Sequence, residues 1–293
     1  MNKIKCNSMV DPLRRVIMKS PVAAWKDMNN VKKYWKDLHF IAQPEFDKAL
    51  FQYNQLLSII ELFGTEILML PADDETNLDS IYTHDAGIVT SKGIIICNMG
   101  KEARKNEPKS LKKFLIENNI PIVGEIEYPG TLEGGDVVWI NERTIAVGKG
   151  YRTNKKGIQQ LRDILGDQVD NIIPVPLPHW LGPENCLHLM SNVSPIDHDL
   201  FLIYPKLLPV KFIKLLKSLN IKVIKVPDKE YESMACNVLP LAPKKCIMMS
   251  GNPITQSLLE SNDVEVFTYD GSEISLKGSG GPTCLTRPIY RQE

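Results

Sequence analysis

Leu132-Glu133-Gly134-Gly135-Asp136-Val137-Val138-Trp139-Ile140-Asn141-Glu142-Arg143-Thr144-Ile145-Ala146-Val147-Gly148 reads as one complete structural phrase. A polar residue and two glycines open it, an apolar run follows, Asn141-Glu142 make a turn, and a second apolar run ends at Gly148. Branched and aromatic residues favour extended backbone, and a short polar turn between two such runs predicts a hairpin. Beyond it a helix is predicted over 154–165, with Ile158, Leu161 and Leu165 at helical spacing. Ile172-Ile173-Pro174-Val175 then closes the unit as a third strand.

The same phrase recurs along the chain. One copy opens at Asp85, turns after Thr90, resumes at Ile94-Ile95-Ile96-Cys97, carries a helix over 107–118 and closes at Ile122-Val123. Another opens around His188 and Val193, turns at Asp197-His198-Asp199, continues through Leu200–Tyr204 and a helix over 209–218, and closes at Lys222-Val223-Ile224. A further copy opens at Asn237, turns at Pro243-Lys244-Lys245, has a helix over 254–260 and closes at Val264–Phe267. The first copy begins near Asn7, runs through Leu13–Met18, and has a helix over 46–62 and a strand after Gly64. Its insertion at 20–45 carries Trp25, Trp35 and His39 and reads either as a lid or as a surface excursion that packs its tryptophans. The polar openers Asp85, Glu133, His188 and Asn237 lie 48, 55 and 49 positions apart. A period near fifty with mixed strands and helices predicts an α/β fold of pseudo-fivefold ββαβ repeats, stacked as a five-bladed α/β propeller around a central channel. If every first strand lies at the axis, the openers converge at one mouth of that channel.

Composition narrows the function classes. The chain has 293 residues, 43% hydrophobic and 24% charged, enough for a sizeable core. Lys+Arg and Asp+Glu each number 35, so no net field favours nucleic acid or an anionic membrane. The Lys-rich stretch at Lys211, Lys214 and Lys217 reads as a solvated helix face. No apolar run reaches the length of a membrane span, and Met1–Cys6 lacks the apolar core of an export signal, so a cytoplasmic protein is expected. Six cysteines without CxxC pairs argue for reduced thiols, against a zinc site and against a disulfide scaffold.

One cysteine differs in setting. Gly278-Ser279-Gly280-Gly281-Pro282-Thr283-Cys284 brings a thiol to the end of a glycine-rich turn, just before the last β-prone run. Glycine admits close approach of a ligand to the backbone, and a partly ionised thiol is the strongest side-chain nucleophile near neutral pH. Together with Cys284, His188 supplies an acid–base partner, and Glu133 and Asp85 supply carboxylates suited to a planar guanidinium. Singly, each has an ordinary explanation: a core histidine, a turn-capping aspartate, a structural Glu-Gly-Gly bend. The remaining cysteines read as packing.

In this order and at these distances, Leu132–Val137, Tyr151-Arg152-Thr153-Asn154 and Gly280-Gly281-Pro282-Thr283-Cys284 resemble the pentein superfamily of guanidine-modifying enzymes. That superfamily includes arginine deiminase, dimethylarginine dimethylaminohydrolase and the amidinotransferases. The resemblance spans nearly the whole chain and implies a single pentein-type domain over residues 1–293. It implies that Cys284 is the nucleophile and His188 the general acid and base, with Glu133 and Asp85 holding the guanidinium. Asp79, in Asp79-Ser80-Ile81-Tyr82-Thr83-His84-Asp85, matches a residue that binds the substrate's α-amino group. Arg152 matches a ligand of the α-carboxylate, and Arg104 resembles a second one. Two positions depart from the pattern. Met190 stands where deiminases and transferases carry an aspartate, which weighs against those readings; His84 stands where dimethylaminohydrolases commonly carry glutamate, which leaves the methylation preference open. The expected activity is hydrolysis of the guanidinium of arginine or an Nω-methylated arginine, with no cofactor and no metal. The expected partner is a small guanidino substrate, and a homodimer is the family-level expectation. Amidino transfer, dihydrolysis to ornithine, and a non-catalytic binder on the same scaffold are the alternatives.

Overall fold

In the structure, a computed structural model that describes residues 4–292, fifteen strands form five three-stranded sheets. The strands are β1 (Leu13–Met18), β2 (Glu66–Met69), β3 (Gly87–Val89), β4 (Ile94–Ile96), β5 (Ile122–Glu125), β6 (Val137–Asn141), β7 (Thr144–Lys149) and β8 (Asn171–Pro176). They continue as β9 (Val193–Asp197), β10 (Leu200–Ile203), β11 (Lys222–Lys225), β12 (Leu239–Ala242), β13 (Lys245–Met249), β14 (Glu265–Tyr269) and β15 (Arg287–Arg291). The sheets are β3-β4-β5, β6-β7-β8, β11-β10-β9, β12-β13-β14 and β15-β1-β2. In every one the middle strand is antiparallel to its hairpin partner and parallel to the third. A parallel neighbour demands a crossover, and each middle strand is followed by a helix that supplies it. Those helices are Phe46–Leu62, Glu107–Glu117, Lys155–Leu165, Val210–Ser218 and Pro253–Glu260. The first buries Ala49, Gln52, Tyr53, Leu56 and Ile60, one stripe at helical spacing, against the sheet β15-β1-β2 and its neighbours.

The first unit differs from its sequence reading. The stretch near Asn7 is not a strand; the hairpin partner of β1 is β15, from the other end of the chain, with Leu13 opposite Arg291 and Ile17 opposite Arg287. Cys6–Pro12 has no apolar alternation with which to pair, whereas Arg287–Arg291 is an extended β-prone run. The amide of Lys5 donates to Ile289 and that of Arg291 to Lys5, which ties the chain ends together. Cys284 therefore precedes the first strand of a unit, as the other four openers do. All five lie two to five residues ahead of β3, β6, β9, β12 and β15.

The 20–45 insertion folds into two short helices, Pro21–Trp25 and Met28–Tyr34. Trp25 is fully buried, its Nε1 donating to the Leu78 carbonyl at 3.0 Å, so this excursion packs onto the sheets. Its far end reaches elsewhere: Ile41, 66% exposed, borders the cavity described next. Among the described residues no helix is long and apolar enough to cross a membrane.

Candidate active site

The openers are held by backbone amides as much as by one another. Asp85 accepts the amide of Gly135 on Oδ1 at 2.9 Å and the Arg104 guanidinium on Oδ2 at 2.6 Å. Glu133 accepts the amides of Gly100 and Lys101 on Oε1 at 2.9 and 3.1 Å, while its Oε2 receives Nε2 of His188 at 2.6 Å. His188 is fixed from below, its amide donating to Ser191 Oγ and the next amide, of Leu189, to Asp136 Oδ1. Ligand atoms of Asp85, Glu133 and His188 all fall within 4.8 Å of one another. Asn237 accepts the Thr283 amide at 3.0 Å and donates Nδ2 to the Cys284 sulfur at 3.2 Å.

Two glycines make this convergence sterically feasible. A Cβ on Gly135 would lie 2.6 Å from Nδ1 of His188 and 2.8 Å from Oδ1 of Asp85. A Cβ on Gly281 would lie 2.5 Å from the Asn237 side chain, which steers the thiol.

Asp85, Gly135, Cys186, His188, Asn237 and Cys284 share the wall of a cavity of about 160 Å³. Met190 is on the same wall, so a thioether faces this space. Glu133, Asp79, Arg104 and Arg152 stand a layer behind it, each at most 5% exposed. Asp79 is paired with Lys101 Nζ at 2.7 Å. Arg104 spends its donors on Glu107, Asp85 and the Tyr82 carbonyl. Arg152 points one nitrogen at Glu133 Oε2, 3.5 Å away. The carboxylates and the imidazole thus meet beside the thiol, while the three residues expected at the amino-acid end of a substrate are taken up by Lys101 (Asp79), by Glu107 and Asp85 (Arg104) and by Glu133 (Arg152).

The charges follow from this packing. Burial opposes ionisation of Asp85, but His188, Arg104 and His84 outweigh it and hold the carboxyl below its usual range. Glu133 is lowered likewise, burial being overcome by the hydrogen bond and charge of His188 and by Arg152. His188 is held well above the ordinary imidazole range: burial works against the charge, and Cys186, Asp85 and Glu133 more than offset it. Burial, then the negative charges of Asp85 and Cys186, push the Cys284 thiol up to about 12, against the opposing pull of Asn237 and His188. His84, also on the wall, has Nδ1 2.8 Å from the Thr286 carbonyl and is driven down to about 3 by burial and Arg287, so it is neutral.

Cys186 belongs to the cavity and not to the packed core, a correction of its sequence reading. Its sulfur lies 3.5 Å from Nδ1 of His188. The Cys186-Leu187-His188 alternation carries the signal, since side chains two apart in extended backbone share a face. Asn237 stood in the opener series, yet its hold on the thiol was not foreseen. The Asp85–Glu133–His188 cluster also has a spacing suited to a metal ion. Its donors are already spent on Arg104, on backbone amides and on a protonated imidazole, a poor fit for a divalent cation.

A thiol, a protonated imidazole and two buried carboxylates thus meet on an α/β scaffold of repeated three-stranded sheets, and the proteins this chain resembles are guanidino-group hydrolases and transferases. The arginine deiminase family model matches residues 73–214 and 208–291, and the chain belongs to that family. It is 27% identical over 246 residues to the N(G),N(G)-dimethylarginine dimethylaminohydrolase of Pseudomonas aeruginosa, covering 84% of this chain and 90% of that one. Among solved structures, an amidinotransferase of Microseira wollei from a saxitoxin pathway superposes with a TM-score of 0.81 at 17% identity, over 99% of this chain and 98% of that one. The N-terminal domain of a cyanobacterial arginine dihydrolase superposes with a TM-score of 0.79 at 21% identity, over 96% and 98%. At these identities the structural likenesses establish the shared fold.

Proposed function

We propose that the protein hydrolyses the guanidinium of arginine or an Nω-methylated arginine, through a covalent intermediate on Cys284, to citrulline and ammonia or methylamine. The observation that carries this reading is the meeting of Asp85, Glu133 and His188 atoms within 4.8 Å, beside a cavity whose wall holds the thiol. In the same reading the chain is one domain, its five sheets the blades of a propeller. Contacts between β9 and β12 and between β15 and β3 support first strands lying side by side around an axis.

In the proposed reaction the substrate cation enters opposite Asp85 on the cavity wall, and Glu133, a layer behind, holds its charge from there while binding Nε2 of His188. The cation lowers the cost of ionising Cys284, whose proton goes to solvent, and the thiolate attacks the central carbon. The Nδ1 proton of His188 passes to the departing nitrogen, and an amidino-thioester remains. His188, now neutral, takes a proton from water as that water attacks the same carbon. Collapse expels the thiolate, which takes up the hydroxyl proton, and leaves a ureido product. Arg152 and Asp79 are proposed ligands of the amino-acid end, reached by exchange of their present ion-pair partners.

Incubation with arginine, monomethylarginine, dimethylarginine, agmatine and guanidinoacetate, followed by assay of ureido product, amine and ornithine, tests the reading. Citrulline from arginine or a methylated arginine is expected. No turnover of any of the five, with Cys284 unlabelled by a haloacetamidine, refutes it in favour of a binding protein.

A further inference from the structure

One thiol beside the site has no part in the reaction outlined above. Cys186 lies in the irregular segment between β8 and the turn Leu189–Ser191, two residues ahead of His188. Both side chains reach the same cavity, with the Cys186 sulfur 3.5 Å from Nδ1 of His188. The opposite ring nitrogen, Nε2, is bound to Glu133 at 2.6 Å. Nδ1 is therefore the ring atom open to proton traffic. Its polar neighbours are the Cys186 sulfur and, at 3.9 Å, Oδ1 of Asp85.

We propose that Cys186 is a positioning residue: its sulfur holds the Nδ1 edge of His188 in the cavity and keeps the imidazole protonated until a departing amine takes the proton. This rests on the guanidino-hydrolase reading of the site. In the resting pair the proton sits on Nδ1 and faces the Cys186 sulfur; burial raises the Cys186 thiol, but the His188 charge, their hydrogen bond and Arg152 bring it below the usual range. During turnover that proton moves to the leaving nitrogen and is replaced from the attacking water, so Cys186 ends each cycle unchanged. The groups facing the pair come from several elements. Asp85 and His84 precede β3, Glu133 and Asp136 precede β6, Arg152 follows β7, and Cys284 precedes β15. All of them persist when Cys186 alone is replaced, so a change in His188 isolates the contribution of the sulfur.

The test is the pH profile of kcat for Cys186→Ala, Cys186→Ser and Cys186→Asp, together with an NMR titration of the His188 imidazole in the same full-length proteins. Removing a negative partner at this distance lowers the His188 pKa, so the alkaline limb moves to lower pH by about one unit in the Ala and Ser variants. On the alkaline side of the limb kcat then falls, by up to about tenfold for a one-unit shift, with no change on the acid side. Cys186→Asp restores the limb by returning a negative charge. An unchanged limb and an unchanged His188 titration in the Ala and Ser variants overturn the proposal and leave Cys186 as packing, whatever the absolute rate. If the wild type turns over no guanidino compound, the catalytic reading fails by itself, and the His188 titration still decides whether Cys186 holds the imidazole. Should every substitution unfold the chain, iodoacetamide alkylation of the wild type, mapped by mass spectrometry, replaces them. Cys186 should alkylate at a rate that levels off below the pH of an ordinary thiol, and a rate still climbing through pH 8.5 overturns the assignment.

Discussion

Replacing Arg104 by alanine separates a residue that binds substrate from one that holds the site together. Its guanidinium, 4% exposed, reaches Oε1 and Oε2 of Glu107 at 2.8 and 2.7 Å, Oδ2 of Asp85 at 2.6 Å and the Tyr82 carbonyl at 2.9 Å. Taking it away strands two carboxylates in the interior. Removing one partner of a buried ion pair costs about 3–5 kcal/mol. For a chain of this size that is a fall in melting temperature of roughly 6–10 °C. The loss also has a pH signature. Burial already pushes Glu107 up to about 7, even with Arg104 beside it, and the charges of Asp79 and Asp85 raise it further. An acid whose folded pKa is raised binds more protons folded than unfolded, so its contribution is full below about 4.5 and is lost as pH rises to about 7. Without Arg104 the folded pKa climbs higher and the window of loss extends upward. Calorimetry at pH 6 and pH 8.5 should therefore show the variant more destabilised at the higher pH. Were Arg104 instead a ligand of the substrate carboxylate, the melting temperature would hold and KM for arginine would rise by one or two orders of magnitude. A variant with a melting temperature within about 2 °C of wild type at both pH values, and a raised KM, would refute the structural role argued here.

Three further outcomes follow from the geometry. Cys284→Ser should leave less than about one-thousandth of the ureido product rate, and a near-normal rate rules out the covalent route. Asn237→Ala removes the donor 3.2 Å from the Cys284 sulfur. A hydrogen bond to a charged group contributes about 1.5–3 kcal/mol, so kcat should drop roughly 10- to 150-fold with KM little changed; alkylation of Cys284 at an unaltered rate would contradict that. Gly135→Ala puts a Cβ 2.6 Å from Nδ1 of His188. It should cut kcat about a hundredfold, as a misplacement near 1 Å does, while the circular dichroism stays native; full activity would mean that the imidazole has room to retreat.

The repeat was legible because each unit needs the same local chemistry. Trp139 and Ile145 face each other across a hairpin, and the helix that follows is amphipathic for the reason its position predicts. The swap of β15 into the first unit was not legible. Pairing between residues 13 and 291 leaves no mark in either segment, since extended backbone at each end is compatible with many partners. The site divides in the same way. Asp85, Glu133, His188 and Cys284 announce themselves through their place at the head of each unit. The fate of Asp79, Arg104 and Arg152 depends on which charges lie opposite in space. Lys101, a residue with no motif around it, holds both Asp79, through its ammonium, and Glu133, through its amide.

The resting charges give the sequence of events a physical direction. Burial and the charges of Asp85 and Cys186 raise the Cys284 thiol to about 12, so in the proposed reaction the nucleophile rests as a thiol near neutral pH. Asp85 is among the causes of that rise, and in the proposed reaction it is the cavity-wall carboxylate that meets the incoming guanidinium. Neutralising Asp85 with a substrate cation removes the repulsion that keeps the sulfur protonated, so binding and activation become one step. A neutral ligand of the same shape would bring no such change. A second thiol pressed against His188 adds to the negative field at Cys284 for the same reason that it keeps the imidazole charged. The arrangement favours a protonated acid and a dormant nucleophile until a cation arrives, and this dormancy spares Cys284 from the alkylating and oxidising encounters that a permanently ionised thiol would meet.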